Sequence, residues 1–204
     1  MREHRGHVAQ SKMILVAGIF LLAPYKTFAQ TAPDTPVIAA VPAAGPETGK
    51  QGPTGQGPSG LPLPRFVSLK SDRVNLRAGP GTDYPAAWVF RRAGLPLEVI
   101  KEFETWRQVR DAEGTSGWVL QSFLSGRRTA LVLPWDVKDG SPPPQVPVMS
   151  SDSGSSRTVA VVEAGVIANV HECDSVWCRV TIDTYRGYIE QKKLWGVYDA
   201  EVLK

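Results

Sequence analysis

The sequence predicts an all-β protein, two small domains in tandem behind an N-terminal stretch that does not fold. Three observations carry this. From Arg65 onward, short alternating apolar runs are separated by turn residues, and no window holds a helical period. The same texture then recurs at a shift of 70 to 71 residues. Ahead of Arg65 the composition cannot build a core.

Residues 1–29 read as an export signal. Arg2, Arg5 and Lys12 precede an apolar run from Met13 to Ala23, and the stretch ends in small and polar residues around Thr27-Phe28-Ala29. The run is short for a bilayer span, so cleavage after Ala29 is expected, leaving no stable membrane span. The alternative is an uncleaved anchor; either way the remainder lies outside the cytoplasm, periplasmic or secreted. The whole chain has 23 basic and 20 acidic side chains; four and one of them fall in the signal, so the mature part is neutral. Nucleic-acid binding, which needs clustered Lys and Arg, thereby loses its support.

Residues 30–64 hold eight prolines, six glycines and no aromatic residue, and are expected to be a disordered linker. The first domain is placed at 65–133. "RFVSLKSDRVNLR" reads as strand, turn, strand, with Val74 and Leu76 on one face; "AAWVF" is a short strand closed by Gly94. Leu95, Leu97 and Val99 alternate along the next strand, and "WRQVRD" and "GWVLQSFL" flank a turn from Asp111 to Gly117. A Pro-rich connector at 134–147, with Pro142, Pro143 and Pro144, separates it from a second domain at 148–204.

The repeat aligns Ala93-Gly94 with Ala164-Gly165, Trp106 with Trp177 and Val109 with Val180. After one residue is lost in the hairpin turn, Gly117-Trp118 falls on Gly187-Tyr188, Gln121 on Gln191 and Leu124 on Leu194. "VNLRAGPGTDYP", then "AG" before a strand, "W-x-x-V", "GWV" and a closing leucine resemble a bacterial SH3-like (SH3b) domain. The combination is similar to the exported tandem type typical of alphaproteobacteria. The resemblance spans residues 66–200 and implies two small, strongly bent SH3-like β-barrels.

The loop "RVNLRAGPGTDYP" admits two readings. As a turn, Gly79 and Gly81 permit positive φ on either side of Pro80, and Asp83 can cap exposed amides. As a groove wall, it would project Arg77 and Tyr84, with Trp106 facing them from the neighbouring hairpin. If Val109 is core, alternation turns Trp106 outward, while Trp118 reads as core. In eukaryotic SH3 domains a tryptophan at the equivalent hairpin position lines the ligand groove, which the resemblance implies here. In the second copy Trp177 persists, but "VMSSDSGSSRTV" lacks the prolines and the tyrosine, so that copy either binds something else or, the reading preferred here, supports the first.

Cys173 and Cys178 straddle the second copy's hairpin turn, and in an oxidising compartment their spacing reads as a disulfide. The rival reading is a reduced Cys178 working with His171, the one histidine after the signal, as a hydrolase or redox enzyme. No metal-ligand spacing and no phosphate-cradling loop is present, so no metal and no cofactor are expected. Glu102 and Glu104 alternate onto one strand face and read as solvated. Residues 65–130 carry four more basic than acidic groups, and 131–204 three fewer. That is either ordinary surface, a contact between the barrels, or a basic face for an anionic polymer. The expectation is a non-catalytic binding or scaffold protein of the cell envelope; the resemblance and the compartment, rather than any residue spacing, imply peptidoglycan or its peptide stems as ligand. An adaptor docking another envelope protein is the alternative.

Overall fold

The computed structural model describes residues 52–204. The export signal and the linker up to residue 51 lie outside the described residues. Among those described there is no α-helix, so none is long and apolar enough to cross a membrane. The linker is not wholly unstructured: β1 (Gly55–Gln56) and β2 (Pro62–Leu63) pair as a small hairpin directly before the first sheet.

That sheet contains β3 (Arg65–Leu69), β4 (Val74–Arg77), β5 (Ala86–Phe90), β6 (Pro96–Phe103), β7 (Trp106–Arg110), β8 (Ser116–Leu120) and β9 (Leu124–Ser125). Its order is β5-β4-β8-β7-β6-β3-β9, with every pair antiparallel. The path is open, because no ladder joins β5 to β9, so the expected barrel is not closed. β9 is only two residues long and spends both on Ser68 and Leu69, leaving β5 as a free edge.

The second sheet contains β10 (Thr129–Val132), β11 (Gln145–Met149), β12 (Thr158–Glu163), β13 (Ile167–Asp174), β14 (Trp177–Ile182), β15 (Tyr185–Glu190), β16 (Leu194–Trp195) and β17 (Val202–Leu203). Its order is β12-β11-β15-β14-β13-β10-β16, and β17 adds to β13. This corrects the domain boundaries. Thr129–Val132, read as the end of the first domain, is the first strand of the second sheet, pairing with Ile167–Asn169 and with Leu194 and Trp195. The Pro-rich stretch is therefore a loop inside the second sheet, between β10 and β11, rather than a connector between domains.

Both cores are the period-2 faces that the sequence displays. Val74, Leu76, Leu97, Val99, Val109 and Val119 fill the first; Val146, Val148, Ala168, Val170, Val180 and Ile189 take the corresponding places in the second. A bulge recurs at the same place, after Leu76 in one sheet and after Val148 in the other. The repeated Gly117 and Gly187 lie where the second strand crosses the last long one. A methyl group on Gly187 would sit 2.5 Å from the Met149 carbonyl oxygen and 2.7 Å from Val148. Backbone cannot yield there, so Gly187→Ala should destabilise by about 2 kcal/mol in urea unfolding. Gly126→Ala, with nothing within 4 Å, should stay within about 0.5 kcal/mol of the parent.

The two sheets meet through the C-terminal segment. Phe66 packs edge-on to Trp195, ring centroids 5.3 Å apart, and lies 4.7 Å from Tyr198. The Tyr198 hydroxyl donates to Glu98 Oε1 at 3.2 Å, while Arg110 holds Oε2 of the same carboxylate. Burial, reinforced by the negative charge of Glu98, pushes the Tyr198 phenol far above its ordinary range. Thr129 Oγ1 donates to the Gly94 carbonyl and Arg92 to the Gly165 carbonyl, both at 2.8 Å, so the turns before β6 and β13 are tied across the junction.

Candidate functional site

On the outer face of the first sheet lies a cavity of about 310 Å³, lined by Arg73, Asn75, Arg77, Thr82, Trp106, Leu120 and Phe123. The local sequence explains the wall. Val74 and Leu76 point into the core, so Arg73, Asn75 and Arg77 share the opposite face at i, i+2, i+4. Trp106 sits across from Leu120 on that same outer face. It is not exposed, as expected from the alternation, but only 7% accessible, at the bottom of the cavity it lines. It forms the floor. Trp118, expected in the core, is half-buried on the outer face opposite Gln108, and Val119 takes the core position.

Of the three residues anticipated for the groove, Arg77 and Trp106 come together and Tyr84 does not. The Tyr84 ring lies against Gly79, where a methyl group would be 2.5 Å from it, and over Gly81. That contact accounts for the glycines: neither adopts positive φ, contrary to expectation. The Arg77 guanidinium is partly occupied, since its Nη1 donates to the carbonyls of Thr82, at 2.9 Å, and Tyr84. Loop and wall are thus one unit: Arg77 holds the turn, and the turn holds Arg77. Arg73, Asn75, Thr82, Leu120 and Phe123 were missed. The alternation outward from Arg77 was the available signal for Arg73 and Asn75.

The second sheet keeps Trp177 and changes the surroundings. By strand register, Pro147 stands for Asn75, Met149 for Arg77 and Glu190 for Leu120. Glu190 is engaged by Lys192 at 2.6 Å and Lys193 at 2.7 Å, and these two ammonium groups hold its carboxyl below the ordinary glutamate range.

A second polar cluster closes one end of the first sheet. Glu102, read as solvated, is buried: it pairs with Arg65 at 2.7 Å and Arg107 at 3.1 Å and accepts from the Ser59 amide and hydroxyl. Burial alone would raise its pKa. The Ser59 amide, Arg65, the Ser59 hydroxyl and Arg107 outweigh this and hold the carboxyl below the ordinary value. Glu102 faces Arg107 across β6 and β7 just as Cys173 faces Cys178 across β13 and β14. The same hairpin is stapled by an ion pair in one sheet and by a disulfide in the other.

The disulfide is formed, so the thiol that a Cys178 nucleophile requires is spent in it. His171 sits 2.8 Å from Thr181 Oγ1, on an exposed bulge of β13. With a separation of five residues, reduction should lower stability by about 2 kcal/mol. Thermal melts of the oxidised and reduced protein measure it.

Comparison with known proteins places this architecture. The bacterial SH3 domain family matches at residues 70–126 and 145–196, one match in each sheet. A Bacillus subtilis (strain 168) protein named "Putative N-acetylmuramoyl-L-alanine amidase YrvJ" is 23% identical over 126 residues, covering 61% of this chain and 24% of that protein. This chain therefore spans about a quarter of that relative's length. Among solved structures, NlpC1 and NlpC2 from Trichomonas vaginalis each align at a TM-score of 0.29, with 14% and 13% identity. The alignments cover 68% and 65% of this chain and 48% of each of those. Because the family matches take in more than half of the chain and fall one on each sheet, the protein belongs to the bacterial SH3 domain family, as a tandem of two copies.

Proposed function

We propose that this protein is a non-catalytic, exported binding module of the bacterial envelope that holds peptidoglycan, through its peptide stems, in the groove of the first sheet. The observation that carries the reading is the groove's lining: an indole floor, a phenyl rim and two guanidinium groups, with no carboxylate among the lining residues. Such a surface suits a ligand that is flat, partly apolar and anionic. Export is supported by the signal-like N-terminus and by the disulfide, which belongs to an oxidising compartment. The amidase-named relative is consistent with wall association, but its own activity belongs to a chain about four times longer than the matched region.

Sedimentation of the mature protein with purified peptidoglycan tests this. The informative variant is Arg73→Glu, because Arg73 is exposed and bonds no described residue; Trp106→Ala would remove a buried floor and confound folding with binding. Losing a charge-assisted contact should reduce the pelleted fraction about tenfold or more, with the thermal melt unchanged. If the parent protein never pellets, the wall-binding reading fails. An adaptor role is then the better account, favoured by Trp88, which is 57% exposed on the free edge strand β5 beside Ala86 and Ala87.

A further inference from the structure

Resting on that reading, we infer that the group recognised in the groove is a carboxylate, received on the Nε/Nη2 edge of Arg77 with Arg73 as a second positive charge. Both hydrogen bonds that fix Arg77 to its loop leave from Nη1. No described residue bonds Nε or Nη2, so the edge that pairs bidentately with carboxylates is unoccupied and its plane already set. Little side-chain freedom remains to be lost there on binding.

Three further features narrow the ligand. Arg73, four residues earlier on the same face, adds charge without a described partner of its own. The floor is a flat indole with Phe123, 38% exposed, at the rim, which accommodates the planar groups flanking a carboxylate in a peptide. A neutral glycan would cover two guanidinium charges without supplying a counter-charge to either, which is costly. The corresponding positions of the second sheet carry Met149 and a lysine-bound Glu190, so of the two sheets the first alone holds the device. Phosphate shares the fork chemistry of carboxylate, and a wall preparation can supply either.

The experiment uses peptidoglycan freed of phosphate-bearing polymers, half of it with its carboxylates converted to amides by carbodiimide and an amine. The mature protein should pellet with the free-acid material and bind the amidated material at least tenfold more weakly. Arg77→Lys, which keeps the charge and loses the fork, and Arg73→Gln should each weaken binding to the free-acid wall only. Lys101→Gln, a cation outside the groove, should bind as the parent does. Arg73→Gln keeps the test usable if Arg77→Lys disturbs the loop.

Equal binding to acid and amide overturns the inference while leaving wall binding intact. So does loss of binding once phosphate polymers are stripped, or an equal effect from Lys101→Gln. Failure of the parent to bind either untreated or stripped wall sinks the proposed function itself.

Discussion

Glu102→Ala is expected to cost about 3–5 kcal/mol of stability, because it leaves the buried Arg107 and the half-buried Arg65 without their shared anion. Arg107 keeps bonds to the carbonyls of Glu104 and Trp106 and to Gln121, but none of these carries a full negative charge. The same substitution removes both acceptors of Ser59, so the hairpin of β1 and β2 should come free, read as new protease cleavage between residues 52 and 63. Glu102→Gln should behave similarly despite its matched size. The pH dependence follows from the direction of the shift. A glutamate whose folded pKa is lowered contributes stability that is complete above its ordinary value of about 4.3 and is lost as pH falls through the lower folded value. The protection factors of the hairpin amides, taken against intrinsic exchange at each pH, should therefore hold down through the ordinary glutamate range and fall below it. Protection factors that do not change on acidification would show that the hairpin is held by something other than Glu102.

Tyr198→Ala is expected to cost about 3–5 kcal/mol, as truncation of a large buried aromatic does, and to uncouple the sheets. Tyr198 is 3% exposed and packs on Phe66 from the opposite sheet. Calorimetry of the parent should show one cooperative transition and that of the variant two. Tyr198→Phe, which keeps the ring and loses the hydroxyl contact to Glu98, should cost about 1 kcal/mol and keep a single transition. Two transitions already in the parent would mean that the aromatic contact does not couple the sheets.

The core was legible because a strand's two faces are written in alternate residues: Val74 and Leu76, Leu97 and Val99, Val109 and Val119. The repeat was legible where the shift held at 70 or 71. It hid the first strand of the second sheet, because the loop inserted between β10 and β11 changes the offset there. Thr129–Val132 then read as the tail of what came before. Glu102 was misread for a different reason. Its partners Arg65 and Ser59 lie 37 and 43 residues away, and a buried charge looks like a surface one until its partner is located. Trp106 shows that facing away from a core is not the same as facing water: it lies on the outer face, yet at the bottom of a cavity with 7% of its surface accessible. Gly79 is a glycine for the ring of Tyr84 and not for its own dihedral, which composition alone cannot distinguish.

Only Gly126, Arg127 and Arg128 separate the last strand of the first sheet from the first strand of the second, and Arg128 is held by Glu201 and the Gly196 carbonyl. A joint so short and so tied has no slack to swing on. Whatever the two copies touch, they touch at one spacing and one angle. With the groove on the first sheet, such a chain would hold the second sheet at one fixed place beside whatever the groove receives.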